Sequence, residues 1–297
     1  MINTRILVGS ILAIAAAGVL FGDWYLAPWF PCLFVCLMGA GILASRELVH
    51  LFPGAYRPSE PLVVGAVLLC LAANWYPTLR SELGTSLSSR WPLQGYAFVA
   101  VLFAFIAAFL AAFLLEMYRY REPGLAVPRI SATLLAIGYL GVLPCCFTQI
   151  RFLAASNAGL LLALTVCVPK GNDIAAFFTG TFVGRHKMTP LLSPKKTWEG
   201  FIGGMIGSVL VAIGLSFAVP KGAAPIFPGG VPEAAAFGVV IGLAGVLGDL
   251  AESLIKRDCH TKDASKSIPG FGGLLDVVDS VLFAAPIAFV WFTWNGN

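Results

Sequence analysis

The chain has 297 residues, 58% of them hydrophobic and only 11% charged, with a mean hydropathy of +0.86. Soluble domains carry about 25% charged residues, so a single water-soluble globule is excluded and lipid must be the solvent for most of the chain. The net charge of +4 says little as a total, and no nucleic-acid partner is expected.

A membrane span needs about 20 mostly apolar residues. Nine segments qualify: 6–22, 25–44, 61–77, 94–116, 129–148, 153–182, 199–219, 234–252 and 276–294. The first lacks a clear cleavage motif and runs straight into a second apolar stretch, so it reads as a retained span rather than a signal peptide. The segment 153–182 is too long for one plain helix. Pro169-Lys170-Gly171-Asn172-Asp173 interrupts it, which predicts a broken or kinked element, tolerated at membrane depth only beside protein or a watery cavity. The expected fold is therefore all-α: a polytopic helical bundle embedded in the membrane. Its N-terminal part, 1–150, provides plain spans for scaffolding and lipid access. Its C-terminal part, 151–297, carries almost every polar cluster. Seven cysteines are present without a CxxC pair, and they read as small apolar packers.

Placing the N-terminus in the cytoplasm puts fourteen lysines and arginines in inside segments and four outside, with Lys170 left within a span. By the positive-inside rule this orientation is preferred. The basic loops 183–198 and 253–275 then share the cytoplasmic face.

Three groups of residues could carry chemistry. In the first, Asn172 and Asp173 precede Ala176, Gly180, Gly184 and Arg185. The small residues recur every four positions and suit close helix packing. The carboxylate does not follow from packing, because insertion near the bilayer centre costs about 2.5–3.5 kcal/mol. Such a residue borders a polar cavity or pairs with a cation such as Lys170. The second group is Ser193-Pro194-Lys195-Lys196-Thr197-Trp198-Glu199-Gly200, in which Thr197 is placed to cap the following helix. Gly200, Gly203, Gly204 and Gly207 form a packing stripe behind it. Lys195 and Lys196 serve as interfacial anchors or, with the helix N-terminus, as an anion site. In the third group, Asp249, Glu252, Ser253 and Lys256 lie at i, i+3, i+4 and i+7 on one helix face. Arg257, Lys262 and Asp263 follow, then Pro269-Gly270-Phe271-Gly272-Gly273, and then Asp276 and Asp279 at i, i+3. Carboxylates beside lysines and a glycine-rich turn suit metal-assisted phosphoryl or nucleotidyl transfer, since Mg²⁺ takes carboxylate oxygens and lysines spread phosphate charge.

Together these residues resemble the phosphatidate cytidylyltransferase family. The resemblance covers about 171–280 and rests on Asn172-Asp173 with Gly184-Arg185, the Ser193–Gly200 run, Gly248-Asp249-Leu250-Ala251-Glu252-Ser253, Lys256-Arg257, Lys262-Asp263, the 269–273 turn, and Asp276 with Asp279. Phe271 stands where the family's turn has His, and Val277 where it has Arg. The resemblance implies transfer of CMP from CTP to phosphatidic acid, giving CDP-diacylglycerol and pyrophosphate in phospholipid biosynthesis. It implies Mg²⁺ held by Asp249 and Asp276, with room for a monovalent cation such as K⁺. Lys256 and Asp279 join those two as catalytic residues. Asn172, Asp173, Arg185, Ser193, Lys195, Lys196, Glu252, Ser253, Arg257, Lys262, Asp263, Gly272 and Gly273 are expected to contact substrate. A homodimer in a bacterial-type cell membrane, with its site facing the cytoplasm, also follows from the resemblance and the charge bias. Two alternatives stay open on the residues alone: a transporter or channel with a polar cavity, and a related CTP-dependent polyprenol or isoprenoid-lipid enzyme.

Overall fold

The computed structural model describes residues 9–295, apart from 12–13, 16–17, 20–21, 24, 83–92, 154–156, 220–224, 266 and 270–271, and apart from the side chains of 80–82 and 93–96. Seven helices among the described residues are long and apolar enough to cross a membrane. An eighth, Glu60–Ala73, is apolar but has only 14 residues. The expected span at 6–22 falls largely outside the described residues. The chain is a polytopic, all-helical integral membrane protein.

Two compact units make up the structure: residues 1–145 with 263–277, and residues 146–262 with 278–297. The first contains α1 (Pro31–Leu51), α2 (Glu60–Ala73), α3 (Tyr76–Glu82), α4 (Leu93–Arg119) and α5 (Ala126–Ile137). A π-turn at Gly138–Val142 carries α5 into α6 (Leu143–Arg151), so 126–151 is one continuous span. Asp23 starts α1 from a distance. Its two carboxylate oxygens accept the Cys32 and Leu33 N–H groups at 2.9 and 2.8 Å, satisfying donors that a helix N-terminus leaves unpaired. Asn74 closes α2 by donating to the carbonyls of Cys70 and Leu71. The core here is built from small residues, with Ala66, Cys70, Val101, Ala104, Ala108, Ile137 and Cys145 packed as one cluster. Cys70 and Cys145 are buried in this cluster, Cys145 Sγ also accepting from Asn74 Nδ2 at 3.0 Å and donating to the Gly141 carbonyl at 2.8 Å, and no cysteine is in a disulfide.

The second unit contains α7 (Ala158–Phe182), α8 (Trp198–Ser216), α9 (Val231–Asp258) and most of α10 (Leu275–Trp294). The expected interruption of the sixth segment is not there: α7 stays helical through Pro169. An internal proline removes one backbone hydrogen bond and crowds the preceding turn. Here the helix is held from outside, because the proline ring seats against Gly245 of α9, where an added methyl would stand 2.7 Å from Pro169 Cβ. The basic segment 183–198 is likewise more than a loop. Lys187–Thr189 (β1) and Ser193–Thr197 (β2) pair antiparallel around a turn at 190–192, the one sheet among the described residues.

The two small-residue stripes pack against each other. A methyl on Gly200 would lie 3.0 Å from the Ala176 carbonyl oxygen and 3.2 Å from Gly180 Cα, and one on Gly207 would lie 3.1 Å from the Gly171 carbonyl oxygen. Without a hydrophobic force between helices in lipid, such backbone proximity is what association rests on. α9 joins through Gly238, where a methyl would stand 2.7 Å from Val209 Cα and 3.0 Å from the Ser208 carbonyl oxygen of α8. Gly214 of α8, by contrast, has open space around its Cα. Gly238→Ala is expected to lose about 1–3 kcal/mol through overpacking against rigid backbone, whereas Gly214→Ala should be neutral or slightly stabilising. Thermal unfolding of both variants in the same detergent checks the contrast.

Candidate active site

The polar residues of the second unit converge where α7, α9 and α10 meet. Glycine makes the meeting possible. A methyl on Gly248 of α9 would stand 2.5 Å from the Asp279 carbonyl oxygen and 3.1 Å from Ser280 Cα on α10, and one on Gly245 would lie 3.6 Å from Ser280 Cβ. The predicted face of α9 turns inward, and Glu252, Ser253 and Lys256 are all buried. Asp249, one turn earlier, remains partly accessible. Ligand oxygens from Asp249, Glu252 and Asp279 all lie within 4.8 Å of one another, an arrangement that could hold a metal ion. Three hard oxygen donors fit Mg²⁺, which is bound through few carboxylates and keeps positions for phosphate and water.

Lysines surround this group. Lys196 Nζ of β2 lies 2.9 Å from Asp249 Oδ2. Lys256 Nζ donates to Glu252 Oε2 at 2.5 Å. Lys170 Nζ of α7 reaches Asp173 Oδ2 at 3.2 Å and Asp279 Oδ1 at 3.3 Å. Ser280 ties the same pair together, its Oγ donating to Asp173 Oδ2 at 3.2 Å and its N–H to Asp279 Oδ1 at 2.6 Å. Ser253 Oγ stands 3.5 Å from Asp249 Oδ1. Asn172 is buried among three helices: a methyl on Gly204 of α8 would meet its Oδ1, and one on Gly242 of α9 its Nδ2.

The hairpin that delivers Lys196 is fixed at both ends. At its base, Glu199 Oε2 accepts the Arg185 and His186 N–H groups at 3.1 and 3.2 Å, and Glu199 Oε1 meets His186 Nδ1 at 2.6 Å. Thr197 caps α8 as expected, accepting the Gly200 N–H at 3.1 Å. Near the turn, Arg257 Nε donates to the Leu192 carbonyl at 3.2 Å. Ser193 pairs with Thr189 inside the sheet. Lys195, Arg185 and Lys262 are exposed.

The rest of the motif belongs to the first unit. There the Ile268 and Gly272 backbones bridge at 2.8 and 3.0 Å, and Gly272 adopts φ +101°, a conformation open to glycine. Asp276 Oδ2 accepts the Gly273 N–H at 2.7 Å and the Ala264 N–H at 3.1 Å, so this carboxylate shapes the turn. Asp263 is exposed beside Gly272. Glu47 of α1 accepts N–H groups from Leu274 (3.1 Å) and Leu275 (2.9 Å) and the Ser265 hydroxyl (2.7 Å), anchoring the start of α10. Phe271, the departure in the turn, lies outside the described residues. Val277 is partly buried at the start of α10.

Sequence reasoning gave no role of their own to Ser280, Glu199 or Glu47, and offered Lys170 only as a cation for Asp173, a pair the structure forms at 3.2 Å. Lys170 did carry a signal, being a charge inside an apolar run and three residues before Asp173. The partners of Glu47 lie more than 200 residues away, beyond any local pattern.

Residues 3–294 match the Cytidylyltransferase family. The chain belongs to that family. Among curated cytidylyltransferases, it is 33% identical over 187 residues to the phosphatidate cytidylyltransferase of Chlamydia pneumoniae, covering 59% of this chain and 58% of the relative. It is 35% identical to the chloroplastic phosphatidate cytidylyltransferase 5 of Arabidopsis thaliana, covering 64% of this chain and 51% of the relative. These two alignments thus span little more than half of each relative's length. A phosphatidate cytidylyltransferase of Synechocystis aligns at 27% identity over 96% of this chain and 95% of its own.

In this family member the base of the hairpin is held by the Glu199 carboxylate. Glu199→Ala removes three contacts at its base and is expected to expose the Arg185 and Lys187 bonds to trypsin at least several-fold faster, while the helices stay intact. Limited proteolysis followed by mass spectrometry reads the cut sites.

Proposed function

We propose that this chain transfers CMP from CTP to phosphatidic acid, forming CDP-diacylglycerol and releasing pyrophosphate. The observation that carries this reading is the convergence of the Asp249, Glu252 and Asp279 carboxylates with Lys170, Lys196 and Lys256, in a member of the Cytidylyltransferase family. A divalent ion, Mg²⁺ by the donor set, would be held by Asp249, Glu252 and Asp279, and would neutralise phosphate charge as a Lewis acid. Asp276 is the further carboxylate that the family resemblance assigns to it. A monovalent cation such as K⁺ would be a second.

The chain's own residues have defined tasks in this scheme. Lys196, presented by the clamped hairpin, and Lys256, at the end of α9, would direct ammonium groups at the triphosphate, where charge is redistributed during phosphoryl transfer. The lipid's phosphate monoester has a second pKa near 6, so it is largely dianionic at neutral pH and attacks the α-phosphorus without a general base. Pyrophosphate leaves as the new phosphoanhydride bond forms. This agrees with the placement of the histidines: His186 is engaged with Glu199, and His260 is exposed.

The lipid tails would stay in the bilayer while CTP arrives from the cytoplasm, the side assigned by the excess of Lys and Arg. A homodimer in a bacterial-type cell membrane is part of the same reading. Family membership argues against the transporter and channel alternative.

The test is CTP-dependent conversion of phosphatidic acid in liposomes, with release of pyrophosphate as the second readout. Asp249→Asn and Asp279→Asn are each expected to reduce turnover by about a hundredfold or more, the loss of several kcal/mol of charge stabilisation. Flux of a solute without CTP consumption, or full turnover in both variants, would refute the assignment.

A further inference from the structure

We propose that Lys170 is a tethered cation that positions the Asp279 carboxylate, a role that rests on reading Asp249, Glu252 and Asp279 as a divalent-ion site. Lys170 lies midway along the 25-residue α7, inside a span. An ammonium group there is costly to insert, and needs compensation that an ordinary packing position does not provide. Its compensation is specific. One carboxylate is its own helix neighbour, Asp173, at 3.2 Å; the other is Asp279, 109 residues away on α10, at 3.3 Å.

The geometry around Asp279 gives this pair a directional effect. Its Oδ1 is engaged both by Lys170 and by the Ser280 N–H. Ser280 Oγ holds Asp173, the lysine's other partner. The Asp279 side chain is thereby fixed on the α7 side of the junction, while the same carboxylate stands within 4.8 Å of the Asp249 and Glu252 oxygens. Lys196 and Lys256 each neutralise one carboxylate of the group. Lys170 instead bridges two, one inside the proposed ion site and one outside it. Groups that orient metal ligands in this way typically contribute about 10–100-fold to metal affinity. Lys170 is a positioning residue, since it acts through Asp279.

The experiment uses the full chain in lipid nanodiscs, with Mn²⁺ as the probe ion followed by electron paramagnetic resonance, and with turnover and thermal unfolding measured on the same samples. Lys170→Met is expected to weaken Mn²⁺ binding about 10–100-fold. Its turnover should fall mainly through a higher requirement for metal, recovering towards the wild-type rate at saturating Mn²⁺. Lys170→Ala should lose the same affinity and regain much of it with added methylammonium, which returns an ammonium ion to the space between the two carboxylates. If Lys170→Met does not fold, Lys170→Gln, which keeps hydrogen-bond donors but no charge, carries the same expectation.

Wild-type Mn²⁺ affinity in a folded, uncharged variant overturns the proposal. So does a loss in Lys170→Ala that methylammonium leaves unchanged, because a packing defect would not respond to a free cation. Wild-type protein that binds no Mn²⁺ refutes both the ion site and this role. Mn²⁺ binding without CTP turnover refutes the assigned reaction and leaves the role of Lys170 standing.

Discussion

At Gly248 the backbone of α9 comes so close to α10 that a single methyl would collide with the carbonyl oxygen of Asp279. Asp249 is the next residue, and this contact brings its carboxylate beside that of Asp279. The same device is repeated nearby, where Gly245 accepts the Pro169 ring and brings Lys170 within reach of α10. Short side chains such as aspartate gain from a close crossing, because it brings their carboxylates together without long stems. At this junction glycine is what allows the backbones to approach so closely. The glycine stripes of α7 and α8 extend that principle across the second unit, and Asn172, lodged against Gly204 and Gly242, occupies the space they leave.

Bringing acidic groups together in a lipid-embedded protein is costly unless opposite charge accompanies them. Four carboxylates, Asp173, Asp249, Glu252 and Asp279, are matched by three lysines from three different elements. The lysine from the hairpin sits on a part that is neither helix nor membrane span. Its position is determined by Glu199 and Arg257, which hold β1 and β2 at opposite ends. An element that looked like a basic surface loop is thus a small, rigid arm attached to the acidic face of α9.

Hydropathy was sufficient to read the all-helical membrane fold, because apolar runs of span length have few other uses. Capping by Thr197 was legible because its partner is three residues on, and the small-residue stripes were legible as faces suited to close packing, although not which helix each would meet. The polar face of α9 could be read from the spacing of Asp249, Glu252, Ser253 and Lys256. What could not be read depends on distant partners. The proline in α7 predicted a broken, kinked or partly re-entrant element; the helix continues through it, with Gly245 of α9 seating the proline ring. The hairpin has short strands containing lysine and proline, which give no alternation of apolar and polar residues. Pairing Asp249 with Asp276 rested on family likeness alone; within its own unit Asp249 stands near the Glu252 and Asp279 oxygens, and within the other an oxygen of Asp276 takes two backbone N–H groups in the glycine turn.

Glu47 has a consequence for how such proteins can diversify. Its carboxylate sits on the first described long helix, yet it receives the N–H groups of Leu274 and Leu275 and the hydroxyl of Ser265. The front of the chain is therefore not interchangeable with any other set of hydrophobic spans. Recombination that swapped it for a foreign anchor would leave three donors at the head of the last helix without their acceptor. This one acid ties the inheritance of the front of the chain to that of the turn and helix start more than 200 residues downstream.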